Sequence, residues 1–80
     1  MKVRVLFFAG LRDELGIDDK IISLEANAPT VETVIEALDQ SPSSFSERGV
    51  RAAVNEEFTT FDHALREGDT VAFIPPVSGG

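Results

Sequence analysis

Thr70-Val71-Ala72-Phe73-Ile74-Pro75-Pro76-Val77-Ser78-Gly79-Gly80 is the stretch that decides the fold. Its first five residues are apolar at nearly every position, so Thr70–Ile74 reads as a strand in the middle of a sheet. Pro75-Pro76 ends that strand, because neither proline can donate to a ladder. Glu67-Gly68-Asp69 is the tight turn that leads into it. Working backwards, Asp62 is placed to cap a single turn through Leu65. Phe58–Thr60 is a short return strand after a turn at Asn55-Glu56-Glu57, and Arg51–Asn55 is the strand it returns from.

The other end of the chain supplies the partner strand. Lys2–Phe8 is β-branched and aromatic with a period of two through Arg4, and Lys20–Glu25 is a second strand. Between them Ala9–Leu15 suits a short helix, with Gly16 placed to end it. Thr30 caps the dominant helix, whose Val31, Val34, Ile35 and Leu38 recur at i, i+3, i+4 and i+7. Ser41-Pro42-Ser43-Ser44 stops it, and a polar loop is expected to about Gly49. Strands, one main helix and more strands predict an α+β domain. The order fits a mixed five-stranded β-grasp sheet, first and last strands adjacent, with the main helix packed on one face and a short extra helix after the first strand. Residues 1–76 form that domain, and 77–80 are expected to be a flexible C-terminal tail.

Eighty residues make one small core and no second domain. Seven Lys and Arg stand against fourteen Asp and Glu, a net charge of −7. That balance argues against nucleic acid, which asks for a basic face, and against a polybasic membrane helix. No apolar run approaches the length of a membrane span, and no signal-peptide pattern opens the chain, so a cytoplasmic location is expected. Cysteine is absent, which excludes disulfides and thiolate chemistry. His63 is the single histidine, so neither a Ser-His-Asp triad nor a multi-histidine metal site has support, and it reads as a partly exposed turn residue. The pairs Asp13-Glu14, Asp18-Asp19 and Glu56-Glu57 read as solvated charge, and no metal site is expected. Gly10 and Gly16 do not form a phosphate-binding loop. The chain is not expected to be a catalyst on its own.

Two features remain. From Pro75 to Gly80 an extended segment reaches up to about 20 Å at ~3.3 Å per residue, with no side chains on its last two residues. Such a tail can enter a narrow channel in another protein and present the Gly80 α-carboxylate, a poor electrophile until activated. A frayed terminus is the plain alternative. The second feature is the sheet face away from the helix. Alternation places Leu6, Phe8, Ala72 and Ile74 there, either as an apolar patch for a partner or under loops and the short first helix.

Val5-Leu6-Phe7-Phe8-Ala9, Leu11-Arg12 with Glu14-Leu15-Gly16, Ala53-Val54-Asn55, Phe61-Asp62-His63 with Leu65, and Gly68-Asp69 with Val71-Ala72-Phe73 lead to the ending Pro75-Pro76-Val77-Ser78-Gly79-Gly80. Together these residues resemble the small subunit of molybdopterin synthase, a ubiquitin-like β-grasp sulfur carrier of molybdenum-cofactor biosynthesis. The resemblance spans nearly the whole chain and departs at Ile74, where a second phenylalanine is common, and at Ala64, where proline can follow the histidine. It implies a cycle. An adenylyltransferase related to ubiquitin-activating enzymes consumes ATP to adenylate Gly80, and sulfur then replaces AMP to leave a thiocarboxylate. Val77, Ser78, Gly79 and Gly80 enter the large subunit, where sulfur passes to cyclic pyranopterin monophosphate. No cofactor is bound stably, and two small and two large subunits form the assembly. Phe8, Phe58, Ile74, Pro75 and Pro76 are implied at the interface. Arg12 matches an arginine near it, either pairing with a partner carboxylate or simply solvated. Three alternatives stay open: a carrier for another thiolated product such as the thiamine thiazole, a ubiquitin-like modifier joined to lysines through Gly80, and a bare interaction module.

Overall fold

Parallel pairing of the first and last strands organises the molecule. The computed structural model describes residues 1–76, and the predicted tail 77–80 lies outside them. The elements are β1 (Lys2–Phe7), α1 (Ala9–Leu15), β2 (Asp19–Ser23), α2 (Val31–Ala37), α3 (Pro42–Glu47), β3 (Arg51–Val54), β4 (Glu57–Thr59) and β5 (Thr70–Ile74). They build one mixed sheet in the order β2-β1-β5-β3-β4. The continuously apolar β5 is therefore central, between parallel β1 and antiparallel β3. This is the α+β, β-grasp arrangement the sequence predicts.

One face carries the core. Val3, Val5 and Phe7 of β1, Val71 and Phe73 of β5, and Ala52 and Val54 of β3 are buried against Val31, Val34 and Ile35 of α2. Phe73 sits at the middle of this packing. Its ring stacks on Phe7 at 6.0 Å and meets Phe45 edge-on at 5.5 Å, geometries that aromatic quadrupoles favour. Gly16 closes α1 at φ 71°, its N–H donating to the Arg12 carbonyl at 2.9 Å, as its placement predicted.

Two expectations fail here. The stretch after Pro42 is a helix, not a polar loop. Ser41 accepts the Ser44 N–H at 3.3 Å as N-cap, Pro42 occupies the first turn, and Phe45 is wholly buried. A single apolar residue among serines gives no periodic signal, yet the cap and the proline suffice to start a turn that Phe45 holds down. The Asp62–Leu65 segment, conversely, is not a helical turn. Carbonyls in and just before it are committed to α2: the Val31 N–H donates to the His63 carbonyl at 3.2 Å and the Glu32 N–H to the Phe61 carbonyl at 3.0 Å. These are two of the donors a helix start leaves unpaired. Leu65 is buried behind this cap, and the Asp62 carboxylate accepts from the Thr60 hydroxyl.

Candidate docking face

The opposite face of the sheet is uncovered, and registry lines up what it presents. Leu6 of β1 lies beside Ala72 of β5, Ala72 beside Ala53 of β3, and Ala53 beside Phe58 of β4. Two alanines thus form the floor of a trough with Leu6 on one wall and Phe58 on the other. The neighbouring row brings Arg51 beside Ile74. Arg4, Asn55, Glu56 and Thr70 complete a groove of about 570 Å³ that also holds Phe8. The short first helix does not cover it, because Leu11 turns α1 into the core instead.

Phe8 remains 45% exposed and Phe58 57% exposed, both on this one groove. A large apolar area gathered in one place on so small a domain marks a surface built to be covered. The Phe8 backbone leaves the strand at this point: its N–H still donates to the Phe73 carbonyl at 3.3 Å, but its extended conformation makes it the N-cap of α1, without a capping side chain. Ile74 and Pro75 are half-buried at the same end of the sheet, and Pro76 is exposed. A Cβ added at Gly49 would lie 3.6 Å from the Pro76 ring, so the chain leaves β5 across the end of α3. Arg12 is exposed on α1 and shares a depression with Leu6, Phe8 and Asp19. The structure thus brings Phe8, Phe58 and Ile74 together on one groove and leaves Arg12 in the adjoining depression beside Phe8, while Val77, Ser78, Gly79 and Gly80 lie outside the described residues.

The rim is charged and ordered. Arg4 and Asp19 form a two-pronged ion pair, with Arg4 Nε donating to Asp19 Oδ1 at 2.9 Å. Hydrogen bonding from Arg4 holds the Asp19 carboxyl below the usual carboxylate range, and the same contact raises the guanidinium. At the other end Asn55 and Glu56 take φ of 51° and 74°, the paired left-handed conformations of a two-residue type I′ hairpin. That turn is pinned to the start of β5. Asn55 Nδ2 donates to Asp69 Oδ1 at 2.9 Å, the Arg66 N–H donates to Asp69 Oδ2 at 2.8 Å, and Asn55 Oδ1 accepts the Thr70 N–H at 3.0 Å. Burial acts to raise the Asp69 carboxyl, but the hydrogen bonds from Arg66 and Asn55 prevail and hold it below its ordinary value.

Sequence reasoning placed Leu6, Phe8, Ala72 and Ile74 on this face but missed Arg51 and Ala53, which the same period-two reading of β3 would have found. Asp69 does more than reverse the chain, since it accepts from both the Arg66 N–H and Asn55 Nδ2 and so ties the two turns together. Among the described residues, no group of three or more acidic or histidine side chains is set to hold a metal.

The profile described as ThiS family matches residues 5–80. The chain belongs to the ThiS family. A molybdopterin synthase sulfur carrier subunit of Escherichia coli is 39% identical over 82 residues, spanning 98% of this chain and 99% of that protein. Among solved structures, SAMP1 from Haloferax volcanii superposes with a TM-score of 0.81 over 100% of both chains at 24% identity. A protein–protein complex of subunits 1 and 2 of molybdopterin-converting factor from Helicobacter pylori contains a chain with a TM-score of 0.64, 24% identity and 100% coverage of both. At that identity the two structures speak for the ubiquitin-like β-grasp fold. For this ThiS-family chain, no described helix is long and apolar enough to cross a membrane.

Proposed function

We propose that this chain is the sulfur carrier subunit of a molybdopterin synthase and works through the α-carboxyl of Gly80. Its 39% identity to the Escherichia coli sulfur carrier subunit, over nearly the full length of both proteins, carries the reading. The uncovered Phe8–Phe58 groove supports it, since a carrier has to dock before it delivers. In this reading an ATP-consuming adenylyltransferase converts the Gly80 carboxylate to an acyl-adenylate with release of pyrophosphate. A sulfur donor at the sulfide level displaces AMP, and the resulting thiocarboxylate donates its sulfur to cyclic pyranopterin monophosphate in the large subunit. The carrier supplies the sulfur and the docking surface, and the catalytic groups come from the large subunit. Lack of cysteine is then no handicap, because the backbone terminus holds the sulfur. Residues 77–80 act as the tail that reaches the reaction centre, in a cytoplasmic assembly of two small and two large subunits.

Intact-mass analysis of the protein from cells, followed by mixing with the large subunit and cyclic pyranopterin monophosphate, tests this. Replacement of one oxygen by sulfur at Gly80, and its loss on mixing, is the expected result. Deleting Gly80 withdraws the reactive carbonyl by ~3.3–3.6 Å, enough to abolish delivery while folding is unchanged. Unimpaired delivery by that variant overturns the mechanism. Isopeptide-linked lysines in place of a thiocarboxylate indicate a protein modifier, a reading whose support here is the fold shared with SAMP1.

A further inference from the structure

Among the described residues, Arg51 is the one cation whose side chain is laid over an exposed aromatic ring. Its guanidinium carbon stands 4.1 Å from the centroid of Phe58, the diagonal cross-strand neighbour that β3–β4 registry provides. Arg4 and Arg48 are each satisfied by a carboxylate within the chain. Arg51, by contrast, makes no ion pair and no side-chain hydrogen bond among the described residues. Contact with the ring face uses none of its five N–H donors, which stay available to whatever covers Phe58.

We propose that Arg51, stacked on Phe58, is a specificity-determining residue of the docking face, and that it selects a partner surface carrying a carboxylate beside the pocket that receives Phe58. The proposal rests on the carrier reading above and names the chemistry of its partner. Phe58 cannot be covered without drying Arg51. The face of the ring compensates a guanidinium only in part, and an unpaired buried cation is strongly unfavourable. A carboxylate meets the fork with two parallel hydrogen bonds and removes that penalty. Partners that offer only apolar or basic contact at this point are rejected. The requirement is local, because a chain of net charge −7 attracts basic surfaces as a whole.

The test is calorimetric titration of the full chain with the large subunit of the same organism's synthase, at low and high salt, for wild type, Arg51→Leu, Arg51→Lys and Arg51→Glu. Arg51→Leu should bind about tenfold or more weakly, because it strands the partner's carboxylate, and with a shallower salt dependence. Arg51→Lys should fall between, and Arg51→Glu should be weakest. Reversing the partner's carboxylate to lysine should restore Arg51→Glu. Thermal unfolding of all four should agree, since Arg51 is exposed in the free chain. If Arg51→Leu binds as tightly as wild type, with the same salt dependence, the carboxylate is absent and the proposal falls while the carrier reading stands. Absence of wild-type binding overturns both. Self-association of the free chain that Arg51→Glu abolishes would assign the face to a second copy and refute the partner named here.

Discussion

Replacing Phe8 by aspartate should separate docking from folding, because the same substitution costs the first far more than the second. On the docking side, Phe8 keeps 45% of its surface in solvent. With about 200 Å² in the side chain, covering it buries roughly 90 Å², or about 2 kcal/mol at ~25 cal/mol/Å². A carboxylate stranded at that dry contact adds several kcal/mol more, so affinity for the large subunit should fall by about 10³-fold or more. On the folding side, the part of Phe8 already buried is worth at most about 3 kcal/mol. Against that loss, Phe8 occupies the N-cap of α1 with extended backbone and no capping side chain. An aspartate there accepts a free N–H of the first turn and returns about 1 kcal/mol. The net loss is about 2 kcal/mol at most, a fall in Tm within about 15 °C for a domain of this size. Phe8→Ser keeps the cap without the charge and should bind only about 30-fold more weakly than wild type, which isolates the electrostatic part. Calorimetric titration and thermal unfolding of the three proteins decide the matter. If Phe8→Asp binds within tenfold of wild type, or if it and Phe8→Ser are indistinguishable, this face is not the docking surface.

Substitutions at three further positions probe the scaffold. Glu56 holds φ 74° in the β3–β4 hairpin, so Glu56→Gly should stabilise the domain by about 0.5–1 kcal/mol, read from the urea midpoint. Phe45→Ala removes a wholly buried ring from the edge of Phe73 and should cost about 3–5 kcal/mol, a large share of the total for 80 residues, with Phe45→Leu much milder. Asp69 titrates below its ordinary value of 3.8; because the folded value is the depressed one, its contribution is complete above that pH and fades as pH falls through the folded value. Urea midpoints measured from neutral pH down to about pH 3 should therefore drop less steeply for Asp69→Asn than for wild type.

What could be read in advance follows from where the signal is periodic. Thr70–Ile74 announced its place because it is apolar on both faces, Val71 and Phe73 towards the core and Ala72 and Ile74 towards the groove, and Val31 to Leu38 announced a helix by spacing alone. The open face was legible through the alternation of Leu6 with its neighbours and of Ala72 with Ile74. The third helix was not, since Phe45 is its only buried residue and one residue has no period. Asp62–Leu65 misled for a related reason: an aspartate before an apolar residue signals a local turn, whereas carbonyls in and just before the segment bond the start of α2, some thirty residues away in sequence. The Arg51–Phe58 pair required registry between strands, which no single segment encodes.

The two faces of the sheet also explain how so small a chain can carry a docking surface. Val5, Val71 and Val54 align on one face, and Leu6, Ala72 and Ala53 on the other, in the same three strands. Stability comes from the first set, packed on α2 and α3, which leaves the second set free to serve a partner at little expense to folding. The parallel pairing of β1 with β5 adds direction. Both strands end at the same edge of the sheet, where Phe7 lies beside Phe73, so Phe8, Ile74 and Pro75 emerge together. A partner that grips Phe8 and Ile74 therefore holds the point at which the chain leaves the fold. The four residues beyond Pro76 then start from a fixed origin, and docking a remote apolar groove sets where the carrier's terminus begins its reach. Ile74→Asp should accordingly impair sulfur delivery more than any equal exchange at Leu6, which borders the groove but not the exit. A single-turnover assay with thiocarboxylated protein distinguishes the two, and equal losses at both positions would show that the groove supplies affinity alone.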